Sequence, residues 1–199
     1  DIREVLPIDF PLSSFDLDLE KMQAQIEDLD AVQSAKLRIR PGGILQIDVN
    51  ERVPAVVWRV GDAVELLDAT GRRVAAITRR SDRLNLPLIV GHGADTAVHE
   101  ALQLIAAAEP VEGRLRGLAR IGARRWDVVL DRDQRILLPE THPTEALEQV
   151  IALDQAQDLL ARDLSAIDMR NAHRPTLRMA PQAVEELRHI RAIEVGDPG

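Results

Sequence analysis

Glu51-Arg52-Val53-Pro54-Ala55-Val56-Val57-Trp58 joins two strand patterns that otherwise look unrelated. A charged pair and a proline stop one pattern, and the apolar run up to the tryptophan starts another, so the stretch is a junction between two small modules. On its N-terminal side Ala35, Leu37 and Ile39 alternate with Lys36, Arg38 and Arg40; after Pro41-Gly42-Gly43, Leu45, Ile47 and Val49 alternate with Gln46, Asp48 and Asn50. Successive side chains of a strand point to opposite faces, so each segment has one apolar and one polar side, and Pro-Gly-Gly reverses the chain. The result is a hairpin with one dry face. Its cover is predicted at 19–29, where Leu19, Met22, Ile26 and Leu29 recur at helical spacing.

Beyond the junction, strands are predicted at 54–60 and 63–67 around Gly61-Asp62, and Asp68-Ala69-Thr70-Gly71 turns the chain into 72–77, making a meander. A charged loop at 79–83 leads to a strand at 86–90 that ends at Gly91-His92-Gly93. Val98, Ala101, Leu102 and Ile105 mark an amphipathic helix that stops before Pro110. Strands follow at 118–123, 125–131 and 135–138, with Trp126, Val128 and Leu130 on one parity. After Thr141-His142-Pro143 a long helix places Ala146, Val150, Leu153 and Leu160 along one stripe, flanked by Leu147 and Ile151, with Glu148, Asp154 and Asp158 wet. A last strand pair at 166–170 and 176–180 precedes a short helix that opens at Pro181 and spans about 182–191. The fold class is α+β: a small helix-on-sheet module over 1–52, a larger, mainly antiparallel β domain with flanking helices over 53–194, and a tail over 195–199.

Composition bounds the function. With 199 residues and 45% hydrophobic content the chain can build real cores. Its net charge of −8, from 33 acidic against 25 basic residues, disfavours general nucleic-acid binding, which needs a positive face. The absence of cysteine removes disulfides, iron–sulfur clusters and cysteine-based zinc sites, and leaves the compartment undecided. No apolar run approaches the roughly 20 residues of a membrane helix and no signal peptide is visible, so any membrane attachment is expected through an anchor upstream.

Few residues suggest bond chemistry. His92, His99, His142, His173 and His189 fall on separate elements without the His-Glu-x-x-His spacing of a helical zinc site, and His92 with His99 supplies only two ligands. No serine lies in Gly-x-Ser-x-Gly, and Gly91-x-Gly93 lacks the context of a dinucleotide loop. Asp68 and Asp168 sit at strand ends, where aspartates more often make turns than act as a catalytic pair. A hydrolytic site would need Asp68, Asp127 and Asp131 to converge. The run Arg114, Arg116, Arg120, Arg124 and Arg125 is either a docking patch for an acidic partner or anionic lipid, or the wet face of one strand and its loop. Trp58 and Trp126 share parity with aliphatic residues, which points to core anchors more than to an interface.

The strongest functional feature is backbone. If the strand at 176–180 lies at a sheet edge, it offers amide and carbonyl groups to an incoming strand, with Leu177 and Met179 alternating against Thr176 and Arg178 and ending at Ala180. Pro175 removes a donor and Arg178 adds an outward charge, both of which limit indiscriminate pairing.

The order helix, hairpin, Glu-Arg-x-Pro and tryptophan resembles a POTRA module running into the second extracytoplasmic domain of the FtsQ/DivIB bacterial cell division family. Leu66-Leu67-Asp68 with Gly71, Leu86-Pro87-Leu88 with Gly91, Arg124-x-Trp126-x-Val128-x-Leu130, and Ile167-Asp168-Met169-Arg170 are similar to successive family signposts over nearly the whole chain. Gln134, Leu138-Pro139 and Asn171 depart from the family pattern. In the family a cytoplasmic tail, a membrane helix and the first POTRA strand precede a segment like 2–6. The resemblance implies a scaffold without catalysis or cofactor, in a single-pass inner-membrane protein with this part in the periplasm at the division septum. It implies FtsB and FtsL as partners at the C-terminal edge, through Asp168, Arg170, Asn171 and the strand from Thr176 to Ala180. Other division proteins would be recruited through the POTRA surface, with Arg38 and Arg40 as contacts. Arg170 has two open readings, a partner's carboxylate or an internal pair with Asp168. Two other classes compete: a POTRA-bearing outer-membrane assembly or secretion component, for which no second helix–hairpin copy is visible, and a periplasmic cell-wall hydrolase.

Overall fold

The structure is a computed structural model that describes residues 17–171 and 174–195, with side chains up to residue 190. The segment 2–6, His173 and residues 196–199 lie outside the described residues.

Helix α1 (Leu19–Glu27) starts because the Asp18 carboxylate accepts a 3.0 Å hydrogen bond from the Lys21 amide, satisfying a donor with no partner inside the helix. It buries Met22 and Ile26 on strands β1 (Val32–Arg40) and β2 (Ile44–Glu51). The antiparallel register sets Ala35 against Val49, Leu37 against Ile47 and Ile39 against Leu45, so three apolar pairs line the face under the helix. Glu27 ties the layers together by accepting from the Ala35 amide at 2.9 Å.

The next strands are β3 (Val56–Val60), β4 (Ala63–Leu67), β5 (Arg73–Ala76), β6 (Leu88–Val90), β7 (Leu115–Ile121), β8 (Arg125–Leu130), β9 (Arg135–Leu137), β10 (Leu164–Asp168) and β11 (Thr176–Met179). Together they form one nine-stranded sheet in the order β11-β10-β9-β8-β7-β6-β3-β4-β5. Most neighbours are antiparallel, but β3–β6, β6–β7 and β9–β10 are parallel. Parallel neighbours cannot be joined by a tight turn. Accordingly α2 (Val98–Ala107) lies between β6 and β7, and α3 (Pro143–Gln157) between β9 and β10. The two helices pack on each other and on one face of the sheet, enclosing Ala101, Leu104, Leu147 and Val150 with Trp126, Val128, Ile136 and Ile167. On the opposite face Val57, Leu66 and Val74 form a smaller cluster under Leu86 and Leu88. Helix α4 (Pro181–Val195) follows the edge strand β11.

Several expectations change in detail. The buried arc of α3 is Ala146, Leu147, Val150 and Ile151, which puts Leu153 at its rim, 42% exposed. Leu160 is buried from a separate short turn, because Asp158 adopts a left-handed conformation that ends the helix. Helix α4 runs to Val195, past the predicted stop and one residue into the stretch read as a tail.

The arginine run at 114–125 is split: Arg116 and Arg124 are exposed, as the wet face of a strand and its loop would have them, while Arg114, Arg120 and Arg125 are largely enclosed by internal partners. Arg114 bonds Asp131 and Gln134, Arg124 pairs with Glu140, and Arg125 with Asp127. Arg120 reaches Glu100 at 2.7 Å and lies 4.9 Å from the centre of the Trp126 ring. Apart from Asp127, two residues from Arg125, the acids paired with this run are distant in sequence and arrive by sheet pairing and helix packing. Of the tryptophans, Trp126 is fully buried and donates to Glu100 at 2.8 Å, while Trp58 is partly buried and donates to the Gly91 carbonyl at 2.9 Å.

Candidate functional site

Strand β11 ends the large sheet, pairing only with β10 among the described strands, and all four of its residues are exposed. One side of its backbone therefore carries donors and acceptors outside any ladder. The register sets Thr176 against Asp168, Leu177 against Ile167, Arg178 against Ala166 and Met179 against Leu164. Ile167 and Leu164 belong to the core under the helices, so Leu177 and Met179 extend that apolar layer past its last covered row, at 46% and 39% exposure. Thr176 and Arg178 stand on the other face, away from α2 and α3.

The inner side of the strand is firmly held. Ser165 Oγ donates to the carbonyls of Arg178 and Met179, and the Ala180 amide donates to the Asp163 carbonyl at 2.8 Å. Ala180 is thus turned inward, and the open stretch is Thr176–Met179.

Below the strand, Arg170 grips Asp168 as a two-pronged pair, Nε to Oδ1 at 2.8 Å and Nη2 to Oδ2 at 2.5 Å, and the Arg170 amide also donates to Oδ1. Those bonds from Arg170 hold the Asp168 carboxyl below its usual range, and Asp168 in turn raises the Arg170 guanidinium. The internal pair is therefore formed, while about half of the Arg170 side chain stays accessible. Asp168, Arg170, Asn171, Arg174 and Thr176 line an open hollow of about 410 Å³ beside the edge.

The other predicted contacts lie far along the chain. Arg38 and Arg40 are exposed on the outer face of β1, with Arg38 bonded to Asp48 at 3.0 Å. Asp68, Asp127 and Asp131 do not share a cleft; each is held by its own arginine, Arg52, Arg125 and Arg114. His99 contacts Gln103 and His142 contacts Glu145. Among the described residues no three His, Asp or Glu side chains are grouped to hold a metal, and no helix is long and apolar enough to cross a membrane.

Sequence reasoning missed what Arg52 does. Its guanidinium donates to the carbonyls of Asp30 and Val32 and, at 2.6 Å, to Asp68, clasping the hairpin unit to the turn between β4 and β5 of the large sheet. Arg73 adds a second bridge to Asp30. The signal was present in the proximity of Arg52 to a proline junction, but its partner is fixed only by the Asp68 turn.

A helix-covered hairpin joined through an arginine clasp to a mixed sheet, whose terminal strand pairs on one side only among the described strands, defines an α+β architecture with an open sheet edge. Residues 56–170 match the family described as Cell division protein FtsQ/DivIB, C-terminal. The chain is 52% identical to Cell division protein FtsQ of Roseobacter litoralis, over 97% of this chain and 66% of that protein. It is 51% identical to the protein of the same name from Cereibacter sphaeroides, over 97% and 63%, and 51% identical to that of Paracoccus denitrificans, over 100% and 58%. The chain belongs to the FtsQ/DivIB cell division family, and it spans about three fifths to two thirds of the length of these relatives.

Proposed function

We propose that this chain is the extracytoplasmic part of a single-pass inner-membrane protein that acts at the division septum as a non-catalytic scaffold. It binds FtsB and FtsL by strand addition at β11 and links early and late division proteins. Residues 1–52 act as a POTRA module that recruits other division proteins through the face bearing Arg38 and Arg40, and residues 53–194 act as the docking domain. No cofactor takes part. The observation that carries this reading is the exposed, singly paired strand at the end of a nine-stranded sheet. Main-chain bonds from such an edge supply affinity, and alternating side chains supply selection. An incoming strand with apolar residues toward Leu177 and Met179 would complete the core layer that those two side chains leave open. The accessible part of the Arg170 fork suits a partner carboxylate.

The test is capture of the extracytoplasmic FtsB segment by the intact chain and by a chain truncated after Asn171. Because the sequence lacks cysteine, Thr176→Cys also permits site-specific crosslinking to a cysteine in the segment. Loss of capture on truncation, together with a crosslink at 176, is expected; equal capture and no crosslink would overturn edge docking. Arg170→Ala and Arg170→Glu should each weaken capture roughly fivefold or more, since hydrogen bonds to charged groups exceed neutral ones. Unchanged affinity in both variants would remove Arg170 from the interface.

A further inference from the structure

The side of β8–β11 opposite α2 and α3 carries more guanidinium groups than carboxylates. Strand pairing lines up Val129, Arg135, Ala166 and Arg178 in one row across β8, β9, β10 and β11, and Asp127, Leu137, Asp168 and Thr176 in the next. Both carboxylates of this face are already taken, Asp127 by Arg125 at 2.5 Å and Asp168 by Arg170. Arg135 and Arg178 are exposed, and among the described residues neither side chain makes a hydrogen bond or ion pair. Adjacent strands lie roughly 4.8 Å apart, so the two arginines rise about 10 Å from each other. The buried methyl of Ala166 floors the gap between them. On a chain of net charge −8 this corner is a local excess of guanidinium groups, anchored on strands rather than on loops.

We propose that Arg135 and Arg178 form a carboxylate-binding row that takes acidic side chains of the partner segment where it passes from the edge onto the sheet face. The proposal rests on the strand-addition reading and extends its charge pairing beyond Arg170, with Arg135 as a specificity-determining residue two strands inside the edge. Charge complementarity selects the occupant: planar forks at a fixed spacing, without a hydrogen-bonded internal acid among the described residues, match carboxylates in two-pronged geometry, and Asp127, the acid that feels the charge of Arg135, is already bonded to Arg125. Binding to an anionic membrane surface generally draws on about 4–8 clustered basic residues, more than this row offers.

The experiment measures the affinity of full-length Arg135→Glu and Arg135→Gln for the FtsB segment and for a copy in which every Asp and Glu is replaced by Asn or Gln. Arg162→Glu, at another exposed position, serves as the control. Arg135→Glu should weaken binding of the acidic segment about tenfold and Arg135→Gln less, with neither affecting the neutral copy and Arg162→Glu without effect. Equal weakening for the acidic and neutral copies would overturn the row, because the loss would then be steric. Unchanged affinity with the crosslink at 176 intact would overturn the row and leave strand addition standing, whereas absence of that crosslink in unaltered Arg135 chains would defeat strand addition itself. Vesicles containing phosphatidylglycerol form a separate arm. Vesicle binding that Arg135→Glu abolishes, with segment affinity unchanged, would assign the row to the membrane and likewise overturn the proposal.

Discussion

Arg52 and Asp68 carry the clearest single-residue energetics. Both side chains are nearly buried, at 8% and 11% exposure, and every strong bond they make is satisfied. Burial by itself would raise the Asp68 carboxyl, but hydrogen bonds from Thr70, Arg52 and the Arg72 amide outweigh it and bring the pKa from 3.8 to about 2. The folded value lies below the unfolded one, so this stabilisation is fully present above about pH 4 and is lost as pH falls through about 2. At neutral pH it amounts to about 2 kcal/mol. Asp68→Asn is therefore expected to lower stability by about that amount at pH 7 and to flatten the decline between about pH 4 and 2, measured by denaturant titration at each pH. An identical pH profile for the two proteins would contradict the assignment. The same turn needs Gly71, whose φ is +86° and whose α-carbon faces the Asp95 carbonyl too closely to admit a β-carbon.

At the level of secondary-structure elements, the helix layer and the edge strand behave differently. Helix α3 holds Leu147 with no exposed surface, between α2 and the sheet. Leu147→Ala should cost about 2–5 kcal/mol through lost transfer energy and the cavity left behind, read from the shift in urea midpoint. A loss below 1 kcal/mol would mean that the site collapses around the smaller residue. Strand β11 presents only exposed residues, so on the strand-addition proposal Arg178→Glu should weaken partner capture and leave the urea midpoint within about 0.5 kcal/mol. Its alternation was legible from residue types. That it lies outermost was not, because strand order depends on which crossovers the helices make.

For the whole molecule the question is how two cores act as one. The hairpin unit buries Met22, Ile26, Val32 and Ala35 among the described residues, a small core beside that of the large sheet. The Arg52 clasp couples them, and removing one partner of a buried, hydrogen-bonded ion pair costs about 3–5 kcal/mol. Both tryptophans belong to the large sheet, so fluorescence follows that unit alone while far-ultraviolet circular dichroism follows both. In Arg52→Ala the dichroism transition should begin at lower urea than the fluorescence transition. Superimposed curves for that variant would show that the clasp is not what joins the units.

Alternation and turn chemistry were enough to read the hairpin, its helical cover, the meander and the family resemblance, because strand parity, helical spacing and Gly or Pro turns are local properties. Leu37 opposite Ile47 follows from counting along two strands and a turn. Nothing local pairs Arg120 with Glu100, Arg114 with Asp131 or Arg52 with Asp68; those bonds exist because sheet order and helix docking bring distant residues within about 3 Å. The same holds for the candidate site. Residue types named the sticky strand, but its place outermost among the described strands and the row shared by Arg135 and Arg178 arise from long-range pairing, the one quantity that a linear pattern does not encode.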